Sequence, residues 1–470
     1  MDLFCLPVEI LEKIVIEFSV NDLLACTKVC KRWRSYINQN FIWKQKCLLY
    51  RYDYHLMERA KSQKLIEDED SADEDENSLE PLCYWRQVFN WYRNLDGKWI
   101  NGDFINYKLS ETNSPVYCLH SDDEVIATGH EDASIHIWCV KGVPCHRNRL
   151  RALLSDYPIL SIRMRKNVLI ALQKKLLQIY HTKDNGITFK LVDAKSFELG
   201  ADNMEQWERI NRLATKYESW YKECLRMNEI YSTKSLVYNF NYSTLYVSTT
   251  ENDGILWSWS IPENELFTCH KIFDENIRSI DCIEDLVYLT VGNDITYLLY
   301  LDKITDRFEI MLTVPGNKRF MIEEKLIVAI PSVGDNCMKR IWVWDKLDLF
   351  KRPKTRDILN AHHSITVALH KYIVYSENGQ VKVWNTEQDI VISSFTISHT
   401  IGFIRSCFST VIFVFDNYNS YLWNWKTGIK ICRLGYNLEW IGDYRNLVHI
   451  NPTLIISAGA NKQLEIFNFL

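Results

Sequence analysis

From about residue 98 to the end of the chain, apolar and polar positions alternate in short runs separated by tight turns. Val116–Trp138, VYCLHSDDEVIATGHEDASIHIW, is representative: a strand, a short turn, the strand VIAT, the turn GHEDAS and the strand IHIW. In the last run Ile135 and Ile137 share one face, and His136 and Trp138 share the other. That period of two marks a strand in a packed sheet. An aromatic closes each such third strand, at Trp138, Tyr180, Trp259, Tyr300, Trp344, Trp384, Trp425 and Phe467. The intervals are 42, 79, 41, 44, 40, 41 and 42 residues. Positions one and three before the anchors are mostly aliphatic, as at Ile179 and Leu177 or Val383 and Val381. Six before them stand Asp132, Asp253, Asp294, Asn378, Asn419 and Asn461, with Lys174 and Met338 as exceptions. Asp and Asn suit that place because their side chains bond nearby backbone N–H groups in tight turns.

A repeat of this length with four strands per unit is what a β-propeller needs. The pattern resembles the WD-repeat family, although the namesake dipeptide is approached only at Trp344–Asp345 and Trp384–Asn385. The Gly-His pair of that family survives only as Ala361–His362. The expectation is a mainly β fold with eight blades, or seven if the weak second repeat (LSIRMRKNVLIALQKKLLQIY) is something else. The chain stops just after the third strand of the last repeat, so Trp99–Leu109 is expected to supply the missing outer strand and close the ring. The 79-residue interval holds an insertion at about 200–229, between an outer strand near Ile187–Val192 and an inner strand Leu236–Phe240. Its apolar residues Trp207, Ile210, Leu213, Tyr217, Trp220, Tyr221 and Leu225 have helical spacing. It serves either stability or partner binding.

The first 47 residues have a different period. Pro7 suits a helix start, and Ile10, Leu11, Ile14 and Phe18 form one stripe. Asn21 can cap a second helix, with Leu23, Leu24, Thr27, Cys30, Trp33 and Ile37 at helical steps. So small a unit buries little by itself. Leu6-Pro7, Glu9-Ile10, Ile14, Phe18, Asp22-Leu23, Val29-Cys30, Trp33 and Trp43 together resemble the F-box. That resemblance implies docking to the adaptor subunit of an SCF (Skp–cullin–F-box) ubiquitin ligase, and through it to the cullin scaffold. The contact residues it implies are Leu6, Pro7, Ile10, Leu23, Leu24, Val29 and Cys30, with Ile14 and Trp33 packing internally. An F-box followed by a propeller is the layout of the F-box/WD-repeat family, whose members are substrate receptors. The alternative is an interaction scaffold that binds the adaptor without substrate ubiquitination. The dimerisation segment that some members carry ahead of the F-box has no counterpart in the five residues before Leu6, so a monomeric receptor is expected.

Residues 48–97 read as a helical linker. Residues 67–80 within it hold nine acids and no Lys or Arg, so the other 456 residues sum to about +4 against a net charge of −5. Such a run repels itself and is expected to be solvated. After it, Leu82, Trp85, Val88, Phe89 and Tyr92 fall on one helix face.

Charge this balanced argues against nucleic-acid binding, which leans on a strong basic field. The N-terminus has neither a basic leader nor an uninterrupted apolar run, so neither a signal peptide nor a membrane span is expected. The 14 Cys include no C-x-x-C pair, which points to reduced thiols inside a cell rather than to disulfides or zinc. His130 and His136 are six apart across a turn and cannot form a zinc-protease pair on a helix. No phosphate loop or nucleophile elbow is present. The expectation is a non-catalytic protein with no cofactor and no metal. Aligned from the anchors, Arg278, Arg405 and, with a one-residue slip, Arg319 occupy inner-strand starts, where some relatives grip phosphorylated substrates. Arg suits that by forked, charge-assisted bonding. Phosphate reading, another recognition mode and purely structural roles all remain open for them.

Overall fold

The structure is a computed structural model. It describes residues 6–50, 52, 57 and 82–109, and 114–470 except 123–124, 141–142, 155–156, 166, 174–175, 183–188, 197–235, 241–243, 250–254, 262–265, 272–274, 284–285, 293, 303–306, 317, 324, 332–338, 359–364, 370, 398–400, 416–418, 437–446 and 459–462. The acidic run and the insertion helix expected near 200–229 lie outside the described residues. The chain divides into two compact units, one of residues 1–104 with Phe469–Leu470 and one of Ile105–Asn468.

The first unit is helical. Helices α1 (Val8–Glu17), α2 (Val20–Cys26), α3 (Lys31–Ile37) and α4 (Asn40–Tyr50) are followed by a long helix, Tyr84–Asn101. Helix α2 begins at Ser19 rather than Asn21. Ser19 Oγ accepts the Asp22 N–H at 3.2 Å, and the Asp22 carboxylate accepts the Ser19 N–H at 3.1 Å. This reciprocal capping box satisfies two otherwise orphaned donors. The helical stripe read as continuous to Ile37 breaks at Thr27–Cys30, so α2 and α3 are separate.

The long helix is part of this core rather than a free linker. Cys83 N–H and Trp85 N–H donate to Asn38 Oδ1 and Asn40 Oδ1 at 3.0 and 3.2 Å. Phe89 packs on Trp43 with ring centroids 5.2 Å apart, and Tyr92 stacks on Tyr52 at 4.4 Å. Val88, Phe89, Tyr92, Leu95 and Trp99 are all buried. At about 25 cal/mol per Å2 such aromatics add several kcal/mol of burial each, which four short helices alone lack. Phe469 stacks on Trp99 at 3.7 Å.

The second unit is a β-propeller. Its described residues form eight four-stranded antiparallel sheets, and the second repeat makes one like the others. Seven sheets are consecutive meanders. The eighth takes three strands from the chain's end and its outer strand, Ile105–Leu109, from the start, in the register Ile105↔Asn468 to Leu109↔Leu464. The expected closing strand is therefore real but shorter than Trp99–Leu109. Trp99–Asn101 end the long helix, capped by left-handed Gly102, so the boundary falls at 104/105 rather than 98.

Apolar clusters bridge consecutive sheets all the way from the eighth through the first to the seventh. Arg405 Nη1 donates to Val448 O at 3.3 Å and joins the seventh to the eighth, which closes the ring. Outer strands alternate between solvent and sheet, as in the exposure of Ile390–Thr396 at every second residue.

Backbone register corrects two anchors. Between the third and fourth strands a β-bulge falls at Ile137/Trp138, Ile179/Tyr180, Ser258/Trp259, Val383/Trp384, Leu298/Leu299 and Leu422/Trp423. In four sheets it immediately precedes the expected aromatic. In the fourth and seventh sheets it marks Leu299 and Trp423 instead of Tyr300 and Trp425. Tyr300 is half-buried and donates its hydroxyl to Glu309 at 2.8 Å. After Trp423, Asn424 Oδ1 accepts the Lys426 and Thr427 N–H groups, as Asn385 Oδ1 accepts those of Glu387 and Gln388 after Trp384.

Candidate functional site

Two sets of side chains stand out, one in each unit. In the helical unit, Leu11, Val15, Leu23, Ile37, Ile42 and Trp43 form the interior. Trp43 Nε1 donates to Ile37 O at 2.7 Å. Lys46 is buried, and its ammonium donates to Ile16 O and Phe18 O, both at 2.6 Å. It thereby satisfies carbonyls at the α1 C-terminus, where the helix dipole favours a cation. Burial lowers its pKa, and Glu17 opposes that shift. The sequence reading missed Lys46, because an exposed-looking Lys on an amphipathic helix gives no such signal.

Apolar residues remain on the outside of this unit. Val29 is 70% exposed and Ile10 44%, and Pro7 and Cys30 are exposed as well. Leu6 and Leu24 are half-buried. Pro7 caps α1, and its carbonyl accepts the Ile10 and Leu11 N–H groups at 3.0 and 3.1 Å. Val29 and Cys30 occupy the break between α2 and α3. Leu23 is the correction to the expected contact set: with 0% exposure it lies in the core and offers no surface to a partner. Ile14 and Trp33 are each half-buried.

In the propeller the site is built on the first, innermost strand of each sheet. Following strand pairing inward from the residue before each anchor gives one equivalent position per sheet. In chain order these are His120, Arg163, Asn239, Ser279, Met321, Thr366, Arg405 and His449. Several of these side chains bond the innermost strand of the next sheet. His120 Nδ1 accepts the Met164 N–H at 3.3 Å. Asn239 Nδ2 donates to Ile280 O at 3.0 Å, and Thr366 Oγ1 accepts the Ser406 N–H at 3.0 Å. Arg405 makes the corresponding bond to Val448 O.

The three arginines expected to act together are not at one level. Arg405 lies in this row. Arg278 precedes Ser279 within a bulge, and Arg319 stands two residues before Met321. Arg278 is half-buried; burial lowers its pKa and Glu275 opposes the shift. Arg319 is exposed.

Arg163 and Arg165 were not singled out from the sequence, because the second repeat is the least regular. Arg165 Nη2 donates to Cys282 O at 2.9 Å, reaching past the third sheet to the fourth. Asp281 beside it is raised by burial, against the pull of Arg319 and Arg163. Among the described residues no group of three or more His, Cys, Asp or Glu is placed to hold a metal, and no helix is long and apolar enough to cross a membrane.

An F-box-like domain followed by a β-propeller is the class that these features define. A family model described as F-box-like matches residues 3–49. The comparison with curated proteins finds no match. Among solved structures the chain is similar to the computationally designed protein Ika8, with a TM-score of 0.52 and 12% identity over 77% of this chain and 98% of that one. Sqt1 of Saccharomyces cerevisiae gives 0.52 and 12%, covering 77% and 97%. BamB of Moraxella catarrhalis gives 0.50 and 8%, covering 78% and 99%. At these identities the likeness concerns fold alone.

Proposed function

We propose that this chain is the substrate-recognition subunit of an SCF-type ubiquitin ligase, with the F-box-like unit docking the adaptor and a WD-repeat propeller holding a protein substrate. One observation carries the reading. An F-box-like domain leaves Pro7, Ile10, Val29 and Cys30 outside its closed core, in a chain that also holds a propeller. Exposed apolar residues beside a complete core are what a partner covers. The chain performs no chemistry of its own in this proposal. It acts inside a cell, presenting a substrate lysine to a ubiquitin carrier, so the rate gain comes from proximity.

The test is co-purification with the adaptor. Replacing Leu6 and Pro7 by Ala should abolish it while the propeller stays folded by circular dichroism, and a double variant that binds like wild type overturns the docking assignment. Adding the reconstituted ligase and assaying ubiquitin transfer to propeller-bound proteins tests the receptor role. Adaptor binding without transfer to any bound protein would leave the scaffold reading standing in its place.

A further inference from the structure

The innermost strands concentrate positive charge in a chain whose net charge is −5. Together the eight carry Arg163, Arg165, Arg278, Lys318, Arg319 and Arg405 against the carboxylates Asp122 and Asp281, six minus two, a surplus of four. The surplus is uneven around the axis. In the shared row, the consecutive seventh, eighth, first and second sheets present Arg405, His449, His120 and Arg163. The third to sixth present Asn239, Ser279, Met321 and Thr366, none of them charged.

The four basic side chains form one group. The His120 and His449 ring centroids are 5.6 Å apart. Arg163 and Arg165 act on His120, and Arg405 acts on His449. Asp281, in the fourth sheet, has Arg319 and Arg163 as its opposing charges, and the thiols of Cys282 and Cys407 are pushed up by burial and stay neutral.

We propose that the arc Arg405–His449–His120–Arg163 is a binding site for a compact tetrahedral oxyanion of the phosphate or sulfate type, taken up as the free ion within the propeller. The inference does not depend on the ligase reading. The Arg163 guanidinium provides forked, charge-assisted donors that fit tetrahedral oxygens, and Arg405, whose Nη1 bonds Val448 O, adds its positive charge. His120 Nδ1 already accepts the Met164 N–H, so its proton sits on Nε2, which is the ring's remaining donor. A dianion also relieves the repulsion among like charges that protein atoms hold close together. The competing source of the same chemistry is a phosphate ester on a peptide.

The experiment is calorimetric titration of the full chain with inorganic phosphate and with sulfate, at constant ionic strength, beside a phosphoserine peptide. Both free ions should bind. Arg163→Gln and Arg405→Gln should each weaken them about tenfold or more, the worth of one charge-assisted bond. Arg340→Gln, which breaks only a surface pair with Asp357 at 2.6 Å, should leave binding unchanged. In the wild-type chain, histidine NMR should show His120 and His449 titrating at higher pH once phosphate is present, a readout that stands even if an arginine variant fails to fold. No binding by the free ions, an equal loss in Arg340→Gln, unmoved histidines, or binding of the peptide ester alone would each overturn the proposal.

Discussion

Lowering the pH from about 7 to about 5 should weaken the propeller through its buried histidines. His120 and His136 are held down to about 3 and His449 to about 4, in each case by burial first and by neighbouring histidines or arginines second. An unfolded chain returns each to about 6.5. A depressed histidine is neutral in the fold and cationic when unfolded, so the unfolded state binds the extra proton. Stability is therefore full above about pH 6.5 and is lost as pH falls toward the folded values. The slope is about 1.4 kcal/mol per pH unit for each proton, which integrates to about 2 kcal/mol per histidine between pH 7 and 5. Three sites give about 6 kcal/mol, comparable with the whole stability of many domains. His130 and His181 are shifted in the same direction. Asp281 and Glu323, both raised by burial, act with the opposite sign as pH falls from their raised folded values toward the ordinary carboxylate range. Urea unfolding at pH 7, 6 and 5, followed by circular dichroism of the sheet signal, measures the loss. The variant His120→Gln with His449→Gln should recover about 4 kcal/mol of it. A midpoint that stays flat from pH 7 to 5, or a double variant that falls as steeply as wild type, refutes the reasoning.

Other perturbations separate core from surface. Leu23→Ala should cost about 2–5 kcal/mol in thermal unfolding of the helical unit, because it empties a fully buried site. Val29→Asp should leave that transition within about 0.5 kcal/mol yet abolish adaptor co-purification, since the side chain is 70% exposed. Lys46→Met should destabilise the unit by about 1–3 kcal/mol, read in the same melt, by orphaning the Ile16 and Phe18 carbonyls. In the propeller, Gly129→Ala would place a Cβ 2.5 Å from Ile159 Cγ2 and 2.8 Å from Cys118 Sγ. The urea midpoint should fall by the equivalent of about 1–3 kcal/mol.

Much of this architecture is legible in the sequence because period-two alternation and turn chemistry are local. The third strands, the inner strand Leu236–Phe240 and the borrowed outer strand all follow from such patterns. What escaped was set by backbone geometry that residue spacing does not register. Where a bulge precedes the anchor it re-aims the next side chain, so in the fourth sheet a leucine takes the buried place and the neighbouring tyrosine turns partly to solvent. In the seventh, two tryptophans lie two residues apart, and the bulge at Leu422/Trp423 and the Asn424 turn pick out Trp423, although Trp425 is the more deeply buried. The helix boundary at Asn101 was hidden because WINGDFINYKL also reads as alternating. Leu23 was assigned to the docking face because an amphipathic stripe does not say which of its members meets the interior and which a partner.

The polar row around the propeller axis has a physical origin that bears on how its chemistry should be read. An innermost strand has a neighbour on one side only, so its other edge would leave backbone donors and acceptors unpaired. A side chain reaching from the preceding sheet can answer one of them, and Asn239, Thr366, His120 and Arg405 do so by bonding the next inner strand. Asn and Thr do this without charge. Using His and Arg for the same task in consecutive sheets costs desolvation and mutual repulsion, which the depressed histidines register. Edge pairing alone therefore accounts for a polar residue in this row, but not for four basic ones side by side. That excess has a direction, toward negative charge, and His120 and Arg405 carry it while they also bond the next inner strand.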